Sequence, residues 1–200
     1  WIEGRNVGEK IDTKLARQMG EGVGRLQDHA DRFHPPAPFT QTTLTSVWAF
    51  GGKPELRPPL FPAQRARRIF RAAERGQARF DELLARKAEL RFLHIDLHMG
   101  NVRHVRGGKV AILDFDDSRW AHPVQDYAIP LFYLWHHEHG AALWDAYAEG
   151  YAGVRGEEPA TRAVLCDLIA ARQVDLVSFV MKTRLLADDA IPGWLDRVDG

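Results

Sequence analysis

Four residues near the middle of the chain have types and spacings suited to chemistry. In residues 93–117, LHIDLHMGNVRHVRGGKVAILDFDD, His94, Asp96 and Asn101 follow the order H-x-D-L-x-x-x-N, and Asp114 opens an Asp-Phe-Asp. That order suits passing a phosphoryl group to a hydroxyl. Such a transfer needs a group to accept the hydroxyl proton, and oxygen ligands to hold Mg²⁺ on the phosphate as its charge redistributes. Asp96, on a tight loop after an apolar strand spanning 90–95, is the candidate base, because position matters more than basicity for that role. Mg²⁺ is a hard ion bound by one or two protein oxygens together with phosphates and water, so Asn101 and Asp114 are its candidate ligands. Gly107-Gly108, between VRHVR and KVAIL, marks a hairpin turn that returns Asp114 to the side of Asn101.

The same residues have plainer readings. A single Asp or Asn after a strand is usually a turn former bonded to its own backbone. Here the ordered set, placed on strand, loop, hairpin and strand, argues against coincidence. A sharper rival takes His94, Asp96 and His98 as an H-x-D-x-H set for Zn²⁺ or Mn²⁺ in a metal-dependent hydrolase. It leaves Asn101 and the hairpin unexplained, whereas the phosphotransfer reading uses both.

The stretch resembles the aminoglycoside phosphotransferase and choline kinase superfamily, whose loop reads H-G-D-x-x-x-x-N followed by D-x-D. The continuation DFDDSRWAHPVQDYA is most similar to the branch of homoserine-kinase-like enzymes and the bacterial stress-response Ser/Thr kinase. By that resemblance Asp96 corresponds to the catalytic base, and Asn101 and Asp114 to the metal ligands. His94 corresponds to a scaffolding residue, Asp116 to the second acid of the D-x-D pair, and Asp126 to an acid bracing the loop from the next helix. Ile95 departs, standing where Gly or Arg is usual. The implied fold is α+β and mainly helical, the C-terminal lobe of a protein-kinase-like fold with a small β-hairpin carrying the site. The resemblance further implies ATP and Mg²⁺ as cofactors. It also implies a smaller N-terminal lobe, with a phosphate-binding Lys, ahead of this sequence. Residues 1–8 then read as a hinge remnant, with Trp1 and Ile2 offering backbone groups to the adenine, and 9–200 as the helical lobe. Ile2-Glu3-Gly4-Arg5 also spells a protease site used to remove tags.

The elements that must position these residues are read from periodicity. Between 8 and 33, Ile11, Leu15, Met19, Val23, Leu26 and Ala30 recur at threes and fours, an amphipathic helix. Gly20, Gly22 and Gly24 lie within it. They lack the spacing and preceding strand of a phosphate loop, so close packing against a neighbour is expected. After the proline-rich 34–38 comes an irregular connection over 47–59, to which no chemistry is assigned. A second helix is expected over 62–87, with Ile69, Phe70, Ala73, Phe80, Leu83 and Leu84 inside and Arg68, Arg71, Arg75 and Arg79 on a solvated face. Pro123 opens an apolar helix running to His136. His136, His137 and His139 suit its carbonyl end better than a metal. Two further helices follow over 141–151 and 159–187. In the first, Trp144, Tyr147 and Tyr151 are expected to pack, although aromatics beside such a cleft can also hold a quaternary amine. Cys166 is expected to be buried, and 188–200 to fray.

Two hundred residues at 45% apolar content suffice for one sizeable core or two small subdomains. The 27 basic and 27 acidic residues cancel, which gives no global attraction to nucleic acid or an anionic membrane. One cysteine allows no internal disulfide and fits a cytoplasmic setting. The expectation is an ATP- and Mg²⁺-dependent phosphotransferase, with a small-molecule hydroxyl or a protein Ser/Thr as acceptor. A catalytically silent binding module is the alternative.

Overall fold

Asp12 has an extended backbone, and its carboxylate accepts the Leu15 amide at 2.8 Å, satisfying one of the donors that a helix start leaves orphaned. From this cap, in a computed structural model that describes residues 2–7 and 11–184, α1 runs over Thr13–Ala30. Leu15, Ala16, Met19, Val23 and Ala30 are buried on one side of it. Further helices are α2 (Ala63–Leu84), α3 (Pro123–Trp135), α4 (Gly140–Arg155) and α5 (Arg162–Thr183).

Packing of α1 on α4 is backbone against backbone. A Cβ on Gly20 would lie 2.0 Å from the Tyr147 carbonyl oxygen, and one on Gly150 would lie 2.0 Å from that of Arg17. The expected close approach of the α1 glycines is therefore met by α4, while Gly22 leaves room instead for Ile112. Helix α2 packs on α5, where Arg79 and Arg75 reach Asp167 at 3.1 and 3.8 Å. Two of the four arginines expected on a solvated face thus tie helices together. Burial covers nearly all of α3, which lies under the site as its composition suggests.

Two small antiparallel sheets complete the architecture. In one, β3 (Val102–Val105) and β4 (Lys109–Ile112) form the hairpin, with Val102 opposite Ile112 and Val105 opposite Lys109. Gly107 and Gly108 make its turn at φ of 86° and 71°, a region that costs glycine nothing. Residues β1 (Arg5–Asn6) add a third strand on the β3 edge, within the segment expected to be a hinge. The strand before the catalytic loop, β2 (Arg91–Leu93), is shorter than expected. It pairs with β5 (Arg119–Ala121) rather than with the hairpin. Thus the chain enters the catalytic stretch on one strand of this ribbon and leaves it on the other. Phe39, Phe92 and Trp120 stack edge to face against its side.

Cys166 departs from its expected burial. It is exposed, one position beyond the fully buried Leu165 and on the opposite side of α5 from Leu168. The expected helix end over 185–187 and the final stretch 188–200 lie outside the described residues. Among the described residues, no helix is long and apolar enough to cross a membrane.

The glycine packing gives a paired prediction. Gly20→Ala should destabilise the chain by roughly 1–3 kcal/mol, because overpacking outweighs the ~1 kcal/mol gain in helix propensity. Gly153→Ala, where a Cβ meets nothing within 4 Å, should stabilise it by about 0.5–1 kcal/mol. Urea unfolding of both variants checks this, and equal shifts would refute the close approach.

Candidate active site

The candidate catalytic loop is held from beneath by a buried carboxylate. Ile95, directly before Asp96, adopts φ of 63°, and its amide donates to Asp126 Oδ1 at 2.9 Å. The other Asp126 oxygen accepts from Gln27 Nε2 at 3.2 Å; that amide group also bonds Pro123 O at 3.0 Å and takes the Tyr151 hydroxyl at 2.7 Å. Burial pushes the Asp126 carboxyl up, opposed by the Ile95 and Gln27 hydrogen bonds. A left-handed backbone at a β-branched residue costs on the order of 1–3 kcal/mol. Burial of the Ile95 side chain to 1% exposure offsets that cost. The departure from Gly noted at this position therefore leaves the turn intact.

His94 spans the loop. Its Nδ1 accepts the Asp96 amide at 3.2 Å, so the ring hydrogen belongs on Nε2, which donates to Leu113 O at 2.9 Å. Both nitrogens are thereby committed to backbone, consistent with a scaffolding role. Phe115 lies against the same ring, with centroids 4.6 Å apart.

The candidate base and ligands sit above this frame. Asn101, mostly buried, donates Nδ2 to Asp96 O at 2.9 Å and approaches Asp96 Oδ2 at 3.5 Å. That leaves its Oδ1 as a carbonyl ligand. The backbone bond from Leu113 N to Asn101 O, 2.9 Å, brings the start of the Asp-Phe-Asp beside Asn101. Asp114 is exposed at φ of 64°, and among the described residues its carboxylate accepts no hydrogen bond. An amide oxygen and an uncommitted carboxylate on adjoining strand ends suit a hard cation such as Mg²⁺. Asp116 points to solvent two residues on.

Several residues around Asp96 were invisible to sequence reasoning. Arg172, on α5, donates Nη2 to Asp96 Oδ1 and to the Tyr133 hydroxyl, and its Nη1 lies 3.5 Å from Asp175 Oδ2. Phe50, from the connection given no chemistry above, donates its amide to Asp175 Oδ1 at 3.1 Å. Together with His98, Asp117 and Phe179 these groups line a cavity of about 250 Å³ whose floor holds Asp96. The one available signal was a buried-helix spacing that places Arg172 and Asp175 on the same side of α5 as Leu168.

The His94, Asp96 and His98 set does not assemble as a metal site. His98 Nδ1 accepts the Gly100 amide at 3.0 Å, while burial lowers its pKa and its Nε2 stands 3.7 Å from Asp96 Oδ2. With both His94 nitrogens occupied as well, His94, Asp96 and His98 present no shared ligand face. Among the described residues no three His, Cys, Asp or Glu side chains converge on a metal position. Trp144, Tyr147 and Tyr151 are buried against α1 and α3, away from the cavity. Of the expected hinge, Trp1 lies outside the described residues. Ile2 is 44% exposed, with its carbonyl accepting from Arg103 at 3.3 Å.

Comparison with known proteins adds to this geometry. A model of the family described as "Phosphotransferase enzyme family" matches residues 1–164. Among solved structures, the chain is similar to the amicoumacin kinase hAmiN, solved with AMP-PNP, Ca²⁺ and Ami. It is 17% identical with a TM-score of 0.71, covering all of this chain and 62% of that one. A microcompartment-associated aminopropanol kinase is 15% identical with a TM-score of 0.74, over 94% of this chain and 60% of that one. Choline kinase from Cryptosporidium parvum Iowa II is 11% identical with a TM-score of 0.64, over all of this chain and 69% of that one. The chain spans about six-tenths of the length of the first two. No curated protein matches it. These likenesses show the fold: a mainly helical part of the kinase-like fold, with its small sheets at the site.

Asp175 yields a prediction in pH. Burial pushes its carboxyl up to about 6, because the Phe50 amide and an Arg172 contact as long as 3.5 Å do not offset the lost hydration. The folded state thus binds this proton more tightly than the unfolded one. Its contribution to stability is present below pH ~4 and disappears as pH rises through about 6. Between pH 4 and pH 7 the parent should lose about 2–3 kcal/mol relative to Asp175→Asn, measured by urea unfolding. Parallel pH profiles would contradict the assignment.

Proposed function

The chain belongs to the phosphotransferase enzyme family, and from that premise we propose that the natural polypeptide transfers the γ-phosphoryl group of ATP to a hydroxyl of a small molecule, with Asp96 as base. One observation carries the reading: the Asp96 carboxylate closes the floor of a 250 Å³ cavity, with Asn101 and Asp114 brought together beside it across the hairpin.

In this reading an acceptor hydroxyl enters the cavity and hydrogen-bonds to Asp96. As its oxygen bonds to the γ-phosphorus, the proton moves to the carboxylate, and the phosphorus–oxygen bond to ADP breaks. Asn101 Oδ1 and the Asp114 carboxylate would hold Mg²⁺, which supplies positive charge to the phosphate oxygens. His94 and Asp126 keep Asp96 in place and take no proton from substrate. The Trp1–Ile2 backbone as an adenine-contacting hinge belongs to the same proposal.

The cavity favours a small acceptor over a protein Ser/Thr. Its lining combines the carboxylates Asp96, Asp117 and Asp175 with the rings of Phe50, Tyr133 and Phe179, surroundings that suit a compound bearing an amine as well as a hydroxyl. The similar structures are named for amicoumacin, aminopropanol and choline.

The test is transfer of labelled γ-phosphate by the full-length polypeptide to a panel of 1-amino-2-propanol, ethanolamine, choline and homoserine. Asp96→Asn should lower kcat about 10²–10⁴-fold with little change in KM for ATP. Asp114→Ala should abolish Mg²⁺-dependent ATP use, and an unchanged response to Mg²⁺ would remove Asp114 as a ligand. An Asp96→Asn enzyme retaining most of its kcat would remove Asp96 as base.

A further inference from the structure

Among the cavities, charged clusters and exposed apolar patches of the described residues, the feature with the most chemistry unaccounted for is a guanidinium in the acceptor cavity. We propose that Arg172 is a positioning residue that fixes which oxygen of Asp96 meets the acceptor; the inference rests on the phosphotransferase reading above.

Arg172 is an expensive residue for its position. Its side chain is 7% exposed, and its Nε finds no partner among the described residues. Desolvating a guanidinium with two carboxylates costs several kcal/mol, and an apolar residue of similar volume commonly stabilises a fold as well or better. Fold stability alone therefore gives no reason for a cation here. What the cation does is fix direction.

Four groups hold the guanidinium. Nη2 is shared between Asp96 Oδ1 and the Tyr133 hydroxyl, the latter at 2.8 Å, and Nη1 faces Asp175 Oδ2 at 3.5 Å. Its central carbon lies 5.7 Å from the ring centroids of both Phe50 and Tyr133. Asp175 is itself fixed by the Phe50 amide. A planar, always charged fork held in this way pins Asp96 Oδ1. Among the described residues, the remaining oxygen, Oδ2, has only the longer approaches of Asn101 Nδ2 at 3.5 Å and His98 Nε2 at 3.7 Å. Oδ2 is thus the oxygen free to take the acceptor proton. Turning the carboxylate away would break its strongest contact.

The experiment compares the full-length parent with Arg172→Met, Arg172→Lys and Tyr133→Phe, using the panel acceptor that the parent phosphorylates fastest. Thermal unfolding is recorded on the same samples. Arg172→Met should lose about 10²-fold in kcat with KM for ATP within about twofold, the size of effect that follows a displaced reacting group. Arg172→Lys, keeping charge without the fork, should recover roughly tenfold of that loss. Tyr133→Phe, which removes one hydroxyl and keeps the ring, should lose kcat a few-fold at unchanged KM for ATP. A folded Arg172→Met enzyme with parental kcat overturns the proposal, as does a loss confined to KM for ATP. If Arg172→Met does not fold, an undiminished kcat in Tyr133→Phe overturns it instead. A parent that phosphorylates nothing in the panel overturns the phosphotransferase reading itself, and the proposal with it.

Discussion

The hydrogen bond from the Ile95 amide to the Asp126 carboxylate is the constraint on which the site depends. A buried carboxylate without donors would cost several kcal/mol, so Asp126 must be bonded wherever α3 places it. Its donors come from two other parts of the chain, Gln27 of α1 and the turn before Asp96. One side chain therefore fixes the height of the Asp96 loop relative to two helices. It also holds Ile95 in a backbone region that a β-branched residue otherwise avoids.

The rest of the architecture keeps that bond available. Gln27 reaches Asp126 because α1 lies flat on α4, and it lies flat because Gly20 and Gly150 have no Cβ where the other helix's carbonyls stand. Tyr151, on α4, closes the network from the other end through Gln27 Oε1. The β2–β5 ribbon returns the chain to α3 immediately after the Asp-Phe-Asp. His94 ties the two limbs of the loop through Leu113 O. Packing, backbone strain and buried polar bonds thus converge on the placement of Asp96.

The cavity above the loop has a different construction. Its floor comes from the loop, but its walls come from α3, α5 and the irregular segment containing Phe50. This division suits a site in which the reacting group is fixed and the acceptor-facing surface can differ. The wall carries both signs of charge, with Arg172 set among Asp96, Asp117 and Asp175. A chain that is neutral overall therefore gives no measure of the field inside this cavity.

The sequence by itself determined the order His94, Asp96, Asn101 and Asp114, the hairpin at Gly107-Gly108, and the cores of the five long helices. These depend on local spacing: a tight turn needs positive φ within a few residues, and an amphipathic stripe is written at threes and fours. It also marked the α1 glycines as sites of close packing, without saying against what. Tertiary structure alone decided that α4 is that partner, that β2 pairs with β5, that Cys166 faces outward, and that Arg79 bridges to α5. It alone brought Arg172 to Asp96 across 76 residues of chain, with Phe50 and Tyr133 around it. Local periodicity puts Arg172 on the Leu168 side of α5 but does not say what would balance its charge there. Asp175 comes from the same helix, but Asp96 and the rings of Phe50 and Tyr133, which complete the surroundings that make its burial tolerable, come from distant segments.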